Sequence, residues 1–326
     1  MKRRQLLIAL GAGAFAAPFT SLAQQQGKVW RVGFISTRAG MDLNEEFFRQ
    51  SMRELGYVEG QNMVFEWRFS AGKAERYPEF AAEFVRLKVD CIVANGTNAS
   101  IAAKLATHTI PIVMGGNNDD PVRRGLVASL ARPGGNVTGF INMANELAGK
   151  RLELLKEILP KLSRVAILSD RNSLPSADQV KETEGAARTL GVQLQTLDVG
   201  DANALENAFQ AAVKGRAQAL IVVAAGFINS HLIRITNLAV KTRLPTIYSN
   251  AQSALAGGLM SYSSVAAENW RGAATYVDRI LKGAKPADLP VQQPTKFEFI
   301  INMKAAKQIG LTIPRNVLAR ADKVIE

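Results

Sequence analysis

Apolar residues in the first part of the chain occur in short runs that alternate with longer amphipathic segments. The short runs are typical of buried strands, whereas the segments between them carry apolar residues at the three- and four-residue spacing of a helix. In the first such segment Phe48 and Met52 share one face, and the pattern ends at Gly56. The predicted elements are strand 29–35, helix 42–55, strand 62–69, helix 78–87, strand 89–94, helix 100–106 and strand 110–114. This alternation predicts a parallel sheet covered by helices on both faces.

The same alternation restarts after residue 146. The predicted elements are helix 147–159, strand 164–168, helix 176–190, strand 192–197, helix 202–213, strand 219–224, helix 231–240, strand 246–248, helix 266–281, strand 296–302 and helix 303–309. The predicted fold class is α/β, with two Rossmann-like lobes whose parallel sheets are joined by a multi-crossing hinge. We expect residues 27–142 plus 265–290 in the N-terminal lobe, and residues 143–264 plus 291–326 in the C-terminal lobe.

One segment, residues 119–140, combines capping and turn signals beside a predicted strand end. Asp120 before Pro121 is a good helix start, because the carboxylate can accept from free amides while proline needs no hydrogen-bond acceptor. The pattern predicts a short apolar helix over 125–131, a stop at 133–136 and an extended run over 137–140. Such a segment would present unpaired backbone amides at the sheet edge where these folds bind ligands.

The first residues of the chain have the pattern of a secretory signal peptide. Lys2, Arg3 and Arg4 precede an apolar stretch over 6–19, and Ser21 and Ala23 fit a small-x-small cleavage site. We therefore predict a signal peptide over 1–23, cleavage near Ala23 and a soluble protein of the periplasm. The arginine pair leaves both the general and the twin-arginine export routes open.

Charge and cysteine content narrow the function classes. The formal charge of +12 becomes +9 without Lys2, Arg3 and Arg4, since each contributes one positive charge. No basic run is interleaved with aromatic residues, so we expect solubility rather than nucleic-acid binding. The single cysteine, Cys91, lies in a predicted strand, which indicates a buried apolar role.

The sequence contains no familiar catalytic or metal-binding motif. Its two histidines, His108 and His231, are far apart, and it has no Gly-x-Ser-x-Gly elbow, Walker phosphate loop or His/Cys metal spacing. The glycines within 132–136 follow a predicted helix, which is the wrong context for a phosphate loop. We expect no enzyme activity, no cofactor and no metal.

The candidate ligand site lies where predicted strands end. Residues 96–100 follow a strand and open a helix, so their amides and hydroxyls could hold a carboxylate; an ordinary helix start is the alternative. Asp170 is the candidate for a cationic group, and Phe227 could stack on an apolar ligand, although core packing is the more frequent outcome for such a ring. The predicted ligand-binding residues are Ser36, Thr37, Gly96, Thr97, Asn98, Ala99, Gly116, Asn117, Asn118, Asp170, Asn172, Ala225, Gly226, Phe227 and Asn250.

Four segments give the chain a resemblance to a known family. Residues 48–62, residues 120–139 with the sequence Arg132-Pro133-Gly134-Gly135-Asn136, and residues 285–297 with 310–314 are similar to the tryptophan-type ABC transporter substrate-binding proteins. This resemblance implies the type I periplasmic binding fold, a small-molecule ligand, a membrane ABC permease as partner and a monomer. The chain differs from the family where it has Asn98 in place of a frequent proline.

We therefore expect a periplasmic solute-binding protein of an ABC importer. It would enclose a small carboxylate-bearing ligand, an amino acid or an aromatic acid, between its two lobes. Two other hypotheses stay open: a sensory module that presents its closed state to a membrane receptor, and an exported α/β enzyme. Substitution of Asn98 or Asn250 should weaken binding without unfolding the protein.

Overall fold

The computed structural model of the chain describes residues 28–326. The predicted signal peptide and its cleavage site near Ala23 lie outside the described residues. Within the described part, no helix has both the length and the apolar character needed to cross a membrane.

The first lobe is built on a five-stranded parallel sheet. Its elements are β1 (Trp30–Ser36), α1 (Leu43–Glu54), β2 (Met63–Phe69), α2 (Tyr77–Arg86), β3 (Cys91–Ala94), α3 (Thr97–Ala106), β4 (Ile112–Asn117) and β5 (Val137–Ile141). The strand order is β2-β1-β3-β4-β5. Apolar residues of α1 pack on one face and those of α2 and α3 on the other, as the alternating pattern predicted. Cys91 is buried in its strand.

The second lobe is built on a seven-stranded sheet. Its elements are α4 (Ala148–Ile158), β6 (Arg164–Asp170), α5 (Leu174–Leu190), β7 (Gln193–Val199), α6 (Ala204–Lys214), β8 (Ala219–Val222), α7 (Gly226–Ser230), α8 (Leu232–Lys241), β9 (Thr246–Tyr248), α9 (Ala251–Leu255), β10 (Met260–Ser264), then, after helix α10 (Ala266–Leu281), β11 (Phe297–Asn302), α11 (Met303–Ile309), α12 (Arg315–Leu318) and β12 (Lys323–Ile325). The strand order is β12-β11-β10-β9-β8-β6-β7. The expectation of parallel strands fails for one pair, because β11 runs antiparallel to β10.

Helix α10 packs on the first sheet although it follows β10 of the second. Trp270 stacks on Phe34 of β1 with ring centroids 5.4 Å apart, and Val277 belongs to the same buried cluster. The following segment stays with the first lobe, since Gln292 donates its backbone N–H to Gly139 at 2.8 Å. The chain therefore passes between the two sheets three times: after β5, between β10 and α10, and before β11.

The structure corrects the prediction of a helix over residues 125–131, which form turns and bends instead. The amides of Leu126 and Val127 both donate to the carbonyl of Pro121, and Gly125 has φ +65°. A residue in the left-handed region ends a helical run, because the following amides no longer align with carbonyls four residues back. Asp120 does cap the start of this turn, accepting from the amide of Val122 at 2.8 Å.

Candidate functional site

A cleft separates the two lobes at the carboxyl ends of their strands. It contains a cavity of about 260 Å³, here the large cavity, and a narrower space of about 40 Å³, here the narrow pocket. Asn95, Asn118 and Asn229 line both spaces. A ligand that extends past these three asparagines would therefore occupy both parts of one site.

The first-lobe wall of the narrow pocket is the start of α3. Gly96 precedes this helix with φ +93°, a conformation that costs a side-chain-bearing residue about 1–2 kcal/mol. Within residues 28–326 no side chain caps the helix, whose first turn lines the narrow pocket with its free amides and its positive dipole end. In the same part of the chain the buried hydroxyl of Thr97 has no hydrogen-bond partner, and the residue is only 3% exposed. This wall is suited to an anionic group that accepts hydrogen bonds.

The second-lobe wall carries a buried carboxylate. Asp170, the last residue of β6, is 6% exposed and accepts the backbone N–H groups of Asn172, at 3.0 Å, and Phe227. Burial raises the pKa of its carboxyl above the ordinary value. Within residues 28–326 no lysine, arginine or histidine forms an ion pair with it. A ligand ammonium group would offset the cost of burying this charge.

Arg38 joins the lobes at the mouth of the cleft. Its guanidinium forms an ion pair with Asp42 at 2.6 Å and donates to the carbonyl of Asn229 and to the side chain of Gln252, both in the second lobe. Across the narrow pocket the side chain of Asn98 donates to the carbonyl of Asn172 at 3.3 Å. The described conformation is therefore a closed one.

The large cavity combines apolar rings with polar and charged groups. Phe47 and Trp270 supply the aromatic surface, and Asn44, Asn142 and Gln252 supply amides. Besides Arg38, the charged residues that line it are Arg151, Glu298 and Lys323. Its volume lies just below the range of roughly 300–1,000 Å³ that is common for small-molecule sites.

The structure brings most of the predicted site residues together. The narrow pocket is lined by Thr37, Gly96, Thr97, Asn98, Ala99, Asn118, Asp170, Ala225, Gly226 and Phe227, and the large cavity by Gly116, Asn118 and Asn250. These positions lie at or just after strand ends, which is the signal behind the prediction.

Three predicted residues, Ser36, Asn117 and Asn172, line neither space. Ser36 and Asn117 are still part of β1 and β4, and their side chains point into the first lobe, toward Glu45 at 2.6 Å and Ser100 at 3.0 Å respectively. Asn172 is exposed, and its amide lies 3.5 Å from the carbonyl of Gly200. For these three the structure gives no contact with the enclosed space.

Several lining residues were not predicted. Asn95 directly follows β3, so the same strand-end signal could have found it. Arg38 and Asn229 lie one or more residues beyond the predicted positions, in segments with no pattern of their own. Trp270 reaches the cavity only because α10 returns to the first sheet, which no local pattern shows.

A family of known proteins and a curated relative both match most of the chain. The family of ABC transporter substrate binding proteins matches residues 32–325. A tyrosine-binding protein of Clostridioides difficile is 27% identical over 271 residues, which is 83% of this chain and 77% of the relative.

Two solved structures share the fold over almost the whole described chain. A conserved domain protein from Vibrio cholerae is 26% identical with a TM-score of 0.84, over 91% of this chain and 100% of that one. The ABC domain from Streptococcus pneumoniae in complex with L-Trp is 25% identical with a TM-score of 0.81, over 91% and 99%. Both the predicted resemblance and the predicted fold class are thereby confirmed. With two parallel-dominated α/β lobes of the type I periplasmic binding fold, the chain belongs to the family of ABC transporter substrate binding proteins.

Proposed function

We propose that this protein is the periplasmic solute-binding component of an ABC importer and encloses an amino acid between its lobes. Membership of the family supports a substrate-binding role. One relative is named as tyrosine-binding and a second was solved with L-Trp, which supports an amino acid as the class of ligand. Export to the periplasm and delivery to a membrane permease are part of this proposal.

The observation that carries the proposal is the pair of complementary groups in the narrow pocket. The uncapped start of α3 with the unpartnered Thr97 hydroxyl suits an α-carboxylate, and the buried Asp170 carboxylate suits an α-ammonium. These are the two charges that every free amino acid carries. With only about 40 Å³, this pocket holds the head group, and the large cavity receives the side chain.

Asp170→Asn tests the ammonium contact. We expect about a tenfold or greater loss of amino-acid affinity, because hydrogen bonds to charged groups contribute about 1.5–3 kcal/mol. Burial raises the pKa of the Asp170 carboxyl, so the folded state binds a proton at this group more readily than the unfolded state does. At pH values above the ordinary pKa of an aspartate, the ionised carboxylate therefore lowers the free energy of unfolding. The unliganded variant should therefore be as stable as wild type or more stable at neutral pH.

Isothermal titration of protein refolded to remove carried-over ligand, against the common L-amino acids, measures the affinities, and thermal melts measure the stability. Glu184→Gln, an exposed carboxylate on α5, is the matched control. Equal affinities of wild type and Asp170→Asn, or no binding of any amino acid by wild type, would contradict the proposal.

A further inference from the structure

Arg151 of α4 is a buried cation without a counter-ion. It is 1% exposed, yet its side chain lines the large cavity. Its Nε donates to the carbonyl of Tyr262 and its Nη1 to the carbonyl of Ala144, each at 2.9 Å. No carboxylate in residues 28–326 lies within the 4.0 Å of an ion pair with it.

The two carbonyl contacts do not account for the whole group. A guanidinium offers five N–H donors, and two are used here. Burial lowers the pKa of Arg151 to about 9, which leaves the group charged at neutral pH. A buried charge without a counter-ion is costly, so a role limited to holding Ala144 and Tyr262 together would leave that cost uncompensated.

The other charged groups of the large cavity are already balanced. Arg38 is paired with Asp42. Glu298 and Lys323 bring one formal charge of each sign to the lining, and burial raises the pKa of the Glu298 carboxyl although Lys323 opposes the shift. Arg151 therefore gives this cavity a net positive charge.

A second buried donor lines the same cavity. Within residues 28–326 the hydroxyl of Ser263 has no hydrogen-bond partner. Both this hydroxyl and the Arg151 guanidinium are therefore available to a group enclosed in the large cavity. Two donors, one of them charged, form the usual surroundings of a carboxylate.

We propose that the large cavity binds an anionic group of the ligand side chain, a carboxylate held by Arg151 and Ser263. The inference rests on the proposed function, because it assigns the head group to the narrow pocket. It narrows the ligand class from amino acids in general to amino acids with an acidic side chain.

Matched pairs of probes test the proposal: L-glutamate against L-glutamine, and 4-carboxy-L-phenylalanine against L-phenylalanine. For wild type we expect the acidic member of at least one pair to bind tenfold or more tightly than its neutral partner. In Arg151→Gln that preference should fall to within threefold, and Arg151→Lys should restore part of it. Arg164→Gln is the control, since Arg164 also donates to a backbone carbonyl, that of Gly215, but lines neither space.

The outcomes separate this inference from the proposed function. Neutral probes that bind wild type as tightly as their acidic partners would overturn the inference and leave the proposed function intact. An equal loss of affinity for both members of a pair in Arg151→Gln would show a structural role and overturn it as well. If Arg151→Gln does not fold, the ratio measured for wild type decides. No binding of any of the four probes would overturn the inference, whereas the titration against the common L-amino acids decides the proposed function.

Discussion

Glu45 is the most deeply buried carboxyl of the first lobe, and it lies just behind the cleft. It accepts a hydrogen bond from Ser36 at 2.6 Å and contacts the Asp42 side chain, which in turn pairs with Arg38 at the mouth. Burial, with the neighbouring Asp42, raises the pKa of Glu45 to about 8. Folding therefore favours the protonated form of Glu45 over the ionised form.

This shift predicts a loss of stability between about pH 4.5 and pH 8. In that window the folded state keeps a proton on Glu45 that the unfolded state has released, so the free energy of unfolding falls as pH rises. Glu45→Gln, which mimics the protonated form, should remove this dependence and raise stability at pH 8 by about 1 kcal/mol or more. Urea unfolding at pH 5 and pH 8 measures the free energy of unfolding of wild type and variant. If that free energy changes between the two pH values as much in the variant as in wild type, Glu45 is not the group responsible.

Strand ends could be predicted from the sequence at residue level, but the direction of each side chain could not. Thr97 and Asp170 were predicted and line the narrow pocket. Ser36 and Asn117 were predicted on the same grounds and point into the lobe, because each strand continues to that residue and alternation turns the side chain inward. Arg151 lies in an amphipathic helix, where arginines are often exposed, so its burial can be seen only in the structure.

At the scale of elements, the contact between β4 and β5 depends on one glycine. Gly139 has φ +132°, and a Cβ atom at this position would lie 2.3 Å from the carbonyl oxygen of Met114. The neighbouring strand therefore leaves no room for any side chain. Gly134, in the loop before β5, also has positive φ, but its Cβ would meet Ala128 at an ordinary 3.5 Å.

Gly139→Ala should therefore cost about 3 kcal/mol, the sum of backbone strain and forced displacement of a packed strand. Gly134→Ala, which adds strain alone, should cost about 1 kcal/mol. Denaturant unfolding of the two variants gives the comparison. Equal losses would mean that β5 can move away from β4 without penalty.

The clearest patterns gave the bounds of elements correctly, and the others did not. The bounds of α10 and of β9 agree with the prediction, since sixteen residues of helical spacing and a three-residue apolar run before a turn are clear patterns. Helix α3 begins three residues before its predicted start. The five-residue helices α7 and α9 were missed, because fewer than two turns give no periodicity to detect. Both helices begin at the cleft, so the site includes short elements that sequence patterns do not predict.

At the scale of the whole molecule, charged side chains tie the lobes together on one side of the cleft. Arg123 contacts Asp178 of α5 at 2.7 Å, Arg124 contacts the same carboxylate, and both arginines also contact Asp119. All of these arginines lie in the segment 119–140. Capping and turn residues make this segment recognisable in the sequence. The ion pairs across the cleft, however, join residues more than fifty positions apart, so no local pattern predicts them.

Asp178→Asn should shift the protein toward an open conformation. Partly exposed ion pairs contribute about 0.2–1 kcal/mol each, so we expect two- to fivefold weaker ligand binding and little change in melting temperature. Small-angle X-ray scattering of the unliganded variant should give a larger radius of gyration. Glu206→Gln is the control, because its ion pair with Arg234 lies within the second lobe. Identical scattering and affinity in wild type and Asp178→Asn would exclude a role of these contacts in closure.

The return of α10 to the first sheet also sets the order in which the protein can be completed during synthesis. One face of that sheet, with Phe34 and Val32, is covered by Trp270 and Val277, which are made more than two hundred residues later. Until then only α1 covers this face, and a nascent chain that lacks α10 cannot bury all of its apolar surface. The lobe whose strands emerge first from the ribosome is therefore finished only after most of the other lobe has been made.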